Sequence, residues 1–145
     1  MILFCDTSAL IKLYIVEAES LAVKELSAQA EAVAVSRIAW AEAFAALARR
    51  SREVPADMPS MEQAKLAIKA DWPDFLVTDV SQTIVELAGE FADTFALRGY
   101  DSVQLATARH VQQVTQLPIQ FACFDLRLNR AAKLLGMVTP FLKVN

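Results

Sequence analysis

Histidine is nearly absent: His110 is the only one in 145 residues. Cysteine is scarce too, with Cys5 and Cys123 far apart and no CxxC pair. A zinc site built from Cys and His ligands is therefore not expected. Both cysteines lie in apolar runs and read as buried thiols. His110 falls inside a helical stretch, so a serine or cysteine nucleophile has no matching base. Only Gly89, Gly99 and Gly136 are available for glycine-rich turns, and no phosphate-cradling Walker loop is present. No apolar stretch reaches the ~18 residues a membrane span needs. The longest candidate, Ile38 to Ala48, is interrupted by Glu42. No basic region precedes the first apolar run, so a signal peptide is not expected and the protein reads as cytoplasmic. Basic charge is not in excess either. The net charge of −3 does not announce a nucleic-acid binder, although a local basic patch can sit beside an acidic site.

What remains is an apolar chain, 55% hydrophobic with a mean hydropathy of +0.34. At about 150 residues per domain it reads as one domain, residues 1–145, with a real core. The apolar excess has two readings: a tight alanine-rich core, or a surface buried against a partner or second copy. Ile2–Cys5 is an unbroken apolar run, too short for a helix, and reads as a strand buried on both faces. Thr7 or Ser8 can cap a helix from Ala9 to Tyr14. Further strands are expected at 32–36, 75–78, 119–124 and 137–139, with helices at 19–30, 37–50, 61–71, 81–97, 101–115 and 126–135. Ser36 is the expected cap of the third helix. Pro55 and Pro59 mark a loop or a helix break over 51–60, and Gly99 the end of the helix from Ser81. Strands alternating with helices predict an α/β domain, a mostly parallel five-stranded sheet between two helical layers.

Four acids stand out by context. Asp6 follows the first strand, Asp125 follows the fourth, and Asp101 opens a helix after Gly99-Tyr100. Glu42 is the lone charge among apolar residues and reads as mid-helix. Asp6 and Asp125 can also be plain N-caps, and Asp101 with Gln104 fits a capping box. Glu42 can instead face solvent or pair with Arg49 or Arg50. Taken together, carboxylates converging on one sheet edge raise each other's pKa, and a hard cation relieves that repulsion. Mg²⁺ or Mn²⁺ suits such an all-oxygen site and points to phosphodiester hydrolysis. A dehalogenase-type phosphatase would need an aspartate where Ser8 stands. A receiver domain would need paired acids near Asp6, although Asp79 remains its candidate phosphoacceptor. Lys12, Arg37, Arg98 and Arg127 are candidate substrate contacts by proximity in sequence, or equally members of a solvated charged face.

Four segments carry a resemblance. Residues 4–14 (FCDTSALIKLY), 40–47 (WAEAFAAL), 97–108 (LRGYDSVQLATA) and 123–132 (CFDLRLNRAA, followed by Gly136) resemble, in order, the motifs of PIN-domain proteins, in particular VapC-type toxins. The resemblance implies a metal-dependent endoribonuclease using Mg²⁺ or Mn²⁺. It assigns Asp6, Glu42, Asp101 and Asp125 to the acidic quartet, with Ser8 as a supporting hydroxyl. It implies an RNA substrate such as a tRNA or another structured RNA, a VapB-type antitoxin, and a homodimer. Operator DNA would be bound only through the antitoxin complex, and no membrane is implied. Two positions depart from the pattern: Cys123 replaces a common Ser or Thr, and Gln104 a common His. Asn129 can steady the Asp125 carboxylate one turn away, or stand as a plain surface residue. Two rival readings keep the fold: a catalytically silent binding module, and a housekeeping RNA-processing nuclease without an antitoxin.

Overall fold

A computed structural model describes residues 1–143. Strand β1 (Ile2–Cys5) is followed by α1 (Thr7–Lys12) and α2 (Ser20–Gln29), then β2 (Ala32–Ser36). Helices α3 (Ala39–Glu53) and α4 (Met58–Asp71) lead to β3 (Leu76–Thr78). Helices α5 (Gln82–Phe95) and α6 (Gly99–Thr115) lead to β4 (Ile119–Ala122), and α7 (Leu126–Leu134) follows. All strand pairs are parallel, in the order β3-β2-β1-β4.

Strand alternation divides the core between the two sheet faces. Ile2, Phe4, Ile119 and Phe121 pack one face against α6 and α7. Leu3, Cys5, Val35 and Ala122 pack the other against α1, α3 and α4. Phe4 and Phe121, paired in register, stack with centroids 5.6 Å apart. The three-layer expectation therefore holds. Many of the buried residues are alanines, including Ala39, Ala43, Ala106 and Ala108, which lets the helices approach closely. Val16, Leu21 and Leu134 nonetheless remain well exposed.

Among the described residues the sheet has four strands, not five. The expected strand at 137–139 is reduced to one parallel bridge, Val138 to Gln120. Gly136, at φ +85°, turns the chain back onto β4 after α7. Pro140 follows two residues after Val138 and has no N–H to extend the ladder.

Other departures concern helix ends. Pro59 sits in the first turn of α4 and Pro55 opens a 3-10 turn at Pro55–Asp57, so the segment is mostly helical and the prolines mark a helix break at Val54, not a loop. Proline is tolerated at those positions because its missing N–H has no helical partner there. Helix α5 is capped by Ser81 but ends at Ala96, which takes the left-handed conformation at φ 53°. Gly99 instead opens α6. Helix α3 starts after Ile38, although Ser36 Oγ still accepts from the Ile38 N–H at 3.3 Å.

Phe121 is fully buried at the centre of one face. Phe121→Ala should lower the unfolding free energy by about 3–5 kcal/mol in urea titration.

Candidate active site at the carboxyl edge of the sheet

From β1 the chain steps to β2 and β3 on one side, then returns to the other side with β4. The order reverses between β1 and β4, and ligand crevices in open α/β sheets form outside the strand ends at that point. Asp6 follows β1 and Asp125 follows β4, so the two flank this crevice. The Asp6 N–H donates to the Ala122 carbonyl at 3.1 Å, locking the strand ends together.

All four predicted acids stand at helix starts. Asp6 caps α1, its Oδ1 accepting from the Ala9 N–H at 2.9 Å and from Ser8 Oγ at 2.7 Å. Thr7 and Ser8 are thus not the caps. Asp125 caps α7, its Oδ1 accepting from the Leu128 N–H at 2.8 Å. Asp101 lies in the first turn of α6, beyond the Arg98 N-cap. Glu42 is not mid-helix: it lies in the first turn of α3. The N-terminal ends of helices favour carboxylates, which is one reason acids are tolerated here.

Glu42 is not turned to solvent or to Arg49 or Arg50. Its Oε1 accepts from Thr7 Oγ1 at 2.8 Å and from Gln104 Nε2 at 3.1 Å. Gln104, only 3% exposed, also donates to Thr7 Oγ1 at 3.3 Å. The Asp101–Gln104 capping box is therefore absent, because the Gln104 side chain points to α1 and α3. Thr7 and Gln104 are the residues that motif reading missed as holders of Glu42. Only the departure at Gln104 offered a signal.

Arg98 links the other two acids, with Nε 3.2 Å from Asp101 Oδ2 and an Nη 3.7 Å from Asp125 Oδ2. Arg127 donates to the Ala96 carbonyl and, with Arg98 and Arg130, lines a 410 Å³ cavity containing Asp101 and Asp125. Lys12 points elsewhere: it bonds Glu17 and the Ala18 carbonyl and lies over the Phe124 ring. Arg37 pairs with Asp79 just past the carboxyl ends of β2 and β3, to the side of β1 away from β4. Asn129 does not reach the Asp125 carboxylate. Its Nδ2 donates to the Cys123 carbonyl at 2.9 Å, which fixes the turn that carries Asp125.

Burial pushes the Asp6 carboxyl up to about 6; the charges of Asp101 and Glu42 add to this, and the Ala9 and Ser8 bonds only partly offset it. Burial also raises the thiols of Cys5 and Cys123, with the Asp6 charge adding to each. Neither is poised as a thiolate nucleophile. Among the described residues, no three His, Cys, Asp or Glu side chains already stand grouped around a metal position. The donor set still suits a hard cation. Protein donors to Asp6 and to Glu42 fall on one oxygen of each, Oδ1 and Oε1. The second oxygens are left for a cation or water, and Asp6 carries the repulsion that a cation relieves.

The matched family model is the PIN domain, over residues 3–134. The chain belongs to the PIN-domain family. Within it, the chain is 32% identical over 139 residues to Ribonuclease VapC45 and to Ribonuclease VapC49 of Mycobacterium tuberculosis. Each match covers 93% of this chain and 92% of the relative. A solved toxin-antitoxin complex from Klebsiella pneumoniae shares the fold, with a TM-score of 0.64 and 22% identity. That likeness spans 97% of this chain and 98% of the other.

The raised Asp6 carboxyl has a consequence for stability. Between its usual 3.8 and about 6 the folded state holds a proton that the unfolded state has lost. Stability of the metal-free protein therefore falls as pH rises through that window. Asn keeps the cap without the charge. Asp6→Asn should raise the metal-free melting temperature near pH 7, by up to about 3 kcal/mol in free energy, and the gain should vanish below pH 4. Thermal melts in EDTA across pH 4–8 check both halves.

Proposed function

We propose that the protein is a divalent-metal-dependent endoribonuclease of the VapC type, the toxin of a toxin–antitoxin pair. The observation that supports this is that Asp6 and Asp125 flank the switch point of a parallel sheet, with the charges of Asp101 and Glu42 acting on Asp6, in a chain related along nearly its whole length to named ribonucleases. Asp6, Glu42 and Asp101 would hold Mg²⁺ or Mn²⁺, directly or through water, and Asp125 a second ion or a water. A metal bound there supplies an activated water and positive charge against the phosphate.

The chain's own residues do the rest. Thr7 and Gln104 orient Glu42, which leaves its second oxygen to align or deprotonate a water near the scissile phosphate. Ser8 and the α1 N-terminus hold Asp6 in place. Arg98 is the internal counter-ion of Asp101 and Asp125 and stands ready to meet an incoming phosphate. Arg127 and Arg130, on the same cavity wall, extend that cationic rim.

Beside Ser8 runs a 360 Å³ groove lined by Ile11, Lys12, Ile15, Arg50 and Met61. Its mix of apolar and basic residues suits the apolar-acidic tail of an antitoxin. Homodimerisation, operator binding through that antitoxin, a structured RNA such as a tRNA as substrate, and a cytoplasmic location belong to the same reading. No described helix is long and apolar enough to cross a membrane.

Purified protein incubated with total small RNA should give discrete products with Mg²⁺ or Mn²⁺ and none with EDTA. Asp101→Asn should reduce cleavage on the order of 10²–10⁴-fold. Metal-independent products, or full activity in Asp101→Asn, would overturn the assignment. If there is no cleavage and millimolar Mn²⁺ leaves the melting temperature unchanged, the fold serves as a binding module.

A further inference from the structure

Asp6 and Asp125 stand at the β1/β4 half of the sheet's carboxyl edge, and the Glu42 side chain is held toward it by Thr7 and Gln104. Beyond the ends of β2 and β3 lies a separate cavity of about 570 Å³, lined by Arg37, Trp40, Ala41, Trp72, Asp79 and Val80. Its position on the edge follows from the register. Ser36 pairs with Thr78, so Arg37 and Asp79 are the first residues past β2 and β3, and the Arg37 N–H donates to the Thr78 carbonyl at 2.9 Å. Neighbouring strands are ~5 Å apart, which puts these residues one and two strand spacings from β1 and Asp6.

The cavity wall is aromatic and rigid. Trp40 stacks on Phe44, with centroids 4.9 Å apart and planes at 22°. Trp72 meets Trp40 edge-on at 5.1 Å and 84°, and Phe75 braces Trp72 at 6.0 Å. Four rings locked together lose little freedom when a ligand arrives. At the rim, Arg37 and Asp79 form an ion pair whose side chains are 58% and 74% exposed. An exposed pair contributes little stability and opens readily. It offers forked donors and a carboxylate acceptor beside two indoles.

We propose that this cavity holds an unpaired nucleobase of the RNA, adjacent to the phosphate placed at the acidic quartet. The proposal rests on the ribonuclease reading and adds to it a second contact site, a stacking pocket beyond β2 and β3 for one base beside the cut. Indole faces stack bases without regard to sequence. Arg37 and Asp79 match the acceptors and amino donors on a base edge. A protein partner fits less well, because it would bury two charges that are now mostly solvated. The volume falls in the range of small-ligand sites.

The chain has two tryptophans, and both line this cavity, so its fluorescence reports on the site directly. The experiment titrates Asp101→Asn protein, in millimolar Mg²⁺, with a single-stranded RNA oligonucleotide of about twelve residues and with the same sequence as a duplex. Expected is saturable quenching by the single strand and little by the duplex. Trp72→Leu should weaken binding about 5- to 100-fold, the span seen for losing one base–aromatic stack, and Trp72→Phe should weaken it less. If Trp72→Leu melts below the assay temperature, Arg37→Ala and Asp79→Ala, at exposed positions, should still weaken binding about 2- to 10-fold. Equal quenching by the duplex, no quenching by either RNA, or emission that changes with protein concentration alone would overturn the proposal. Cleavage by the unmodified protein is scored separately. Cleavage without quenching removes the base site and leaves the nuclease; quenching without cleavage does the reverse.

Discussion

A carboxylate buried at the end of a central strand is the constraint around which the molecule is arranged. Asp6 is 7% exposed, between a sheet packed on both faces and a helix that begins at the next residue. A charge in that position is costly unless it is hydrogen-bonded or paired. The chain gives it a helix N-terminus, the Ser8 hydroxyl and the Ala9 N–H, and the carboxyl still rises to about 6. Structural needs alone would be met by Asn or Ser, which cap as well without the charge. The retained charge is a cost in folding that the proposed metal site would account for.

The other acids are held by a shared economy. Each uses protein donors to fix its position without surrounding itself with them. Thr7, from α1, and Gln104, from α6, both bond one oxygen of Glu42 on α3. Three helices that leave the sheet separately are thereby tied at one carboxylate. Arg98 does the same for Asp101 and Asp125, at the starts of α6 and α7. The network fixes relative position, and the free oxygens retain the chemistry. The parallel topology makes this feasible, because every βα junction opens on the same edge.

Much of this was legible in the chain itself. Ile2–Cys5 could only be a buried strand, and the order of strands and helices dictated a parallel three-layer sheet. The acids were visible because each broke an apolar context. What stayed hidden was either tertiary or a matter of local backbone. Thr7 and Gln104 are 97 residues apart and meet only through the packing of α6 across the edge. Asn129 has the right spacing to reach Asp125 but finds a backbone carbonyl nearer. Helix ends misled for opposite reasons: Pro55 and Pro59 allow a loop but sit where proline starts a helix, and Ala96 takes a left-handed turn that glycine usually supplies. The fifth strand failed because Pro140 cuts short a segment otherwise placed to pair.

Helix α3 joins the two halves of the edge. Glu42 and Trp40 lie two positions apart in its first turn, so their side chains leave the helix in different directions. One meets Thr7 and Gln104 beside Asp6; the other stacks on Phe44 and abuts Trp72. A single helical turn thus fixes the distance between an acidic surface and an aromatic one. The two surfaces need different physical conditions. The proposed metal site needs acids whose mutual repulsion a cation relieves, and the proposed base site needs a preformed apolar face. Neither could be built within the other without burying an unpaired charge against tryptophan. Placing them on opposite sides of one helix start keeps both properties and holds them in fixed register.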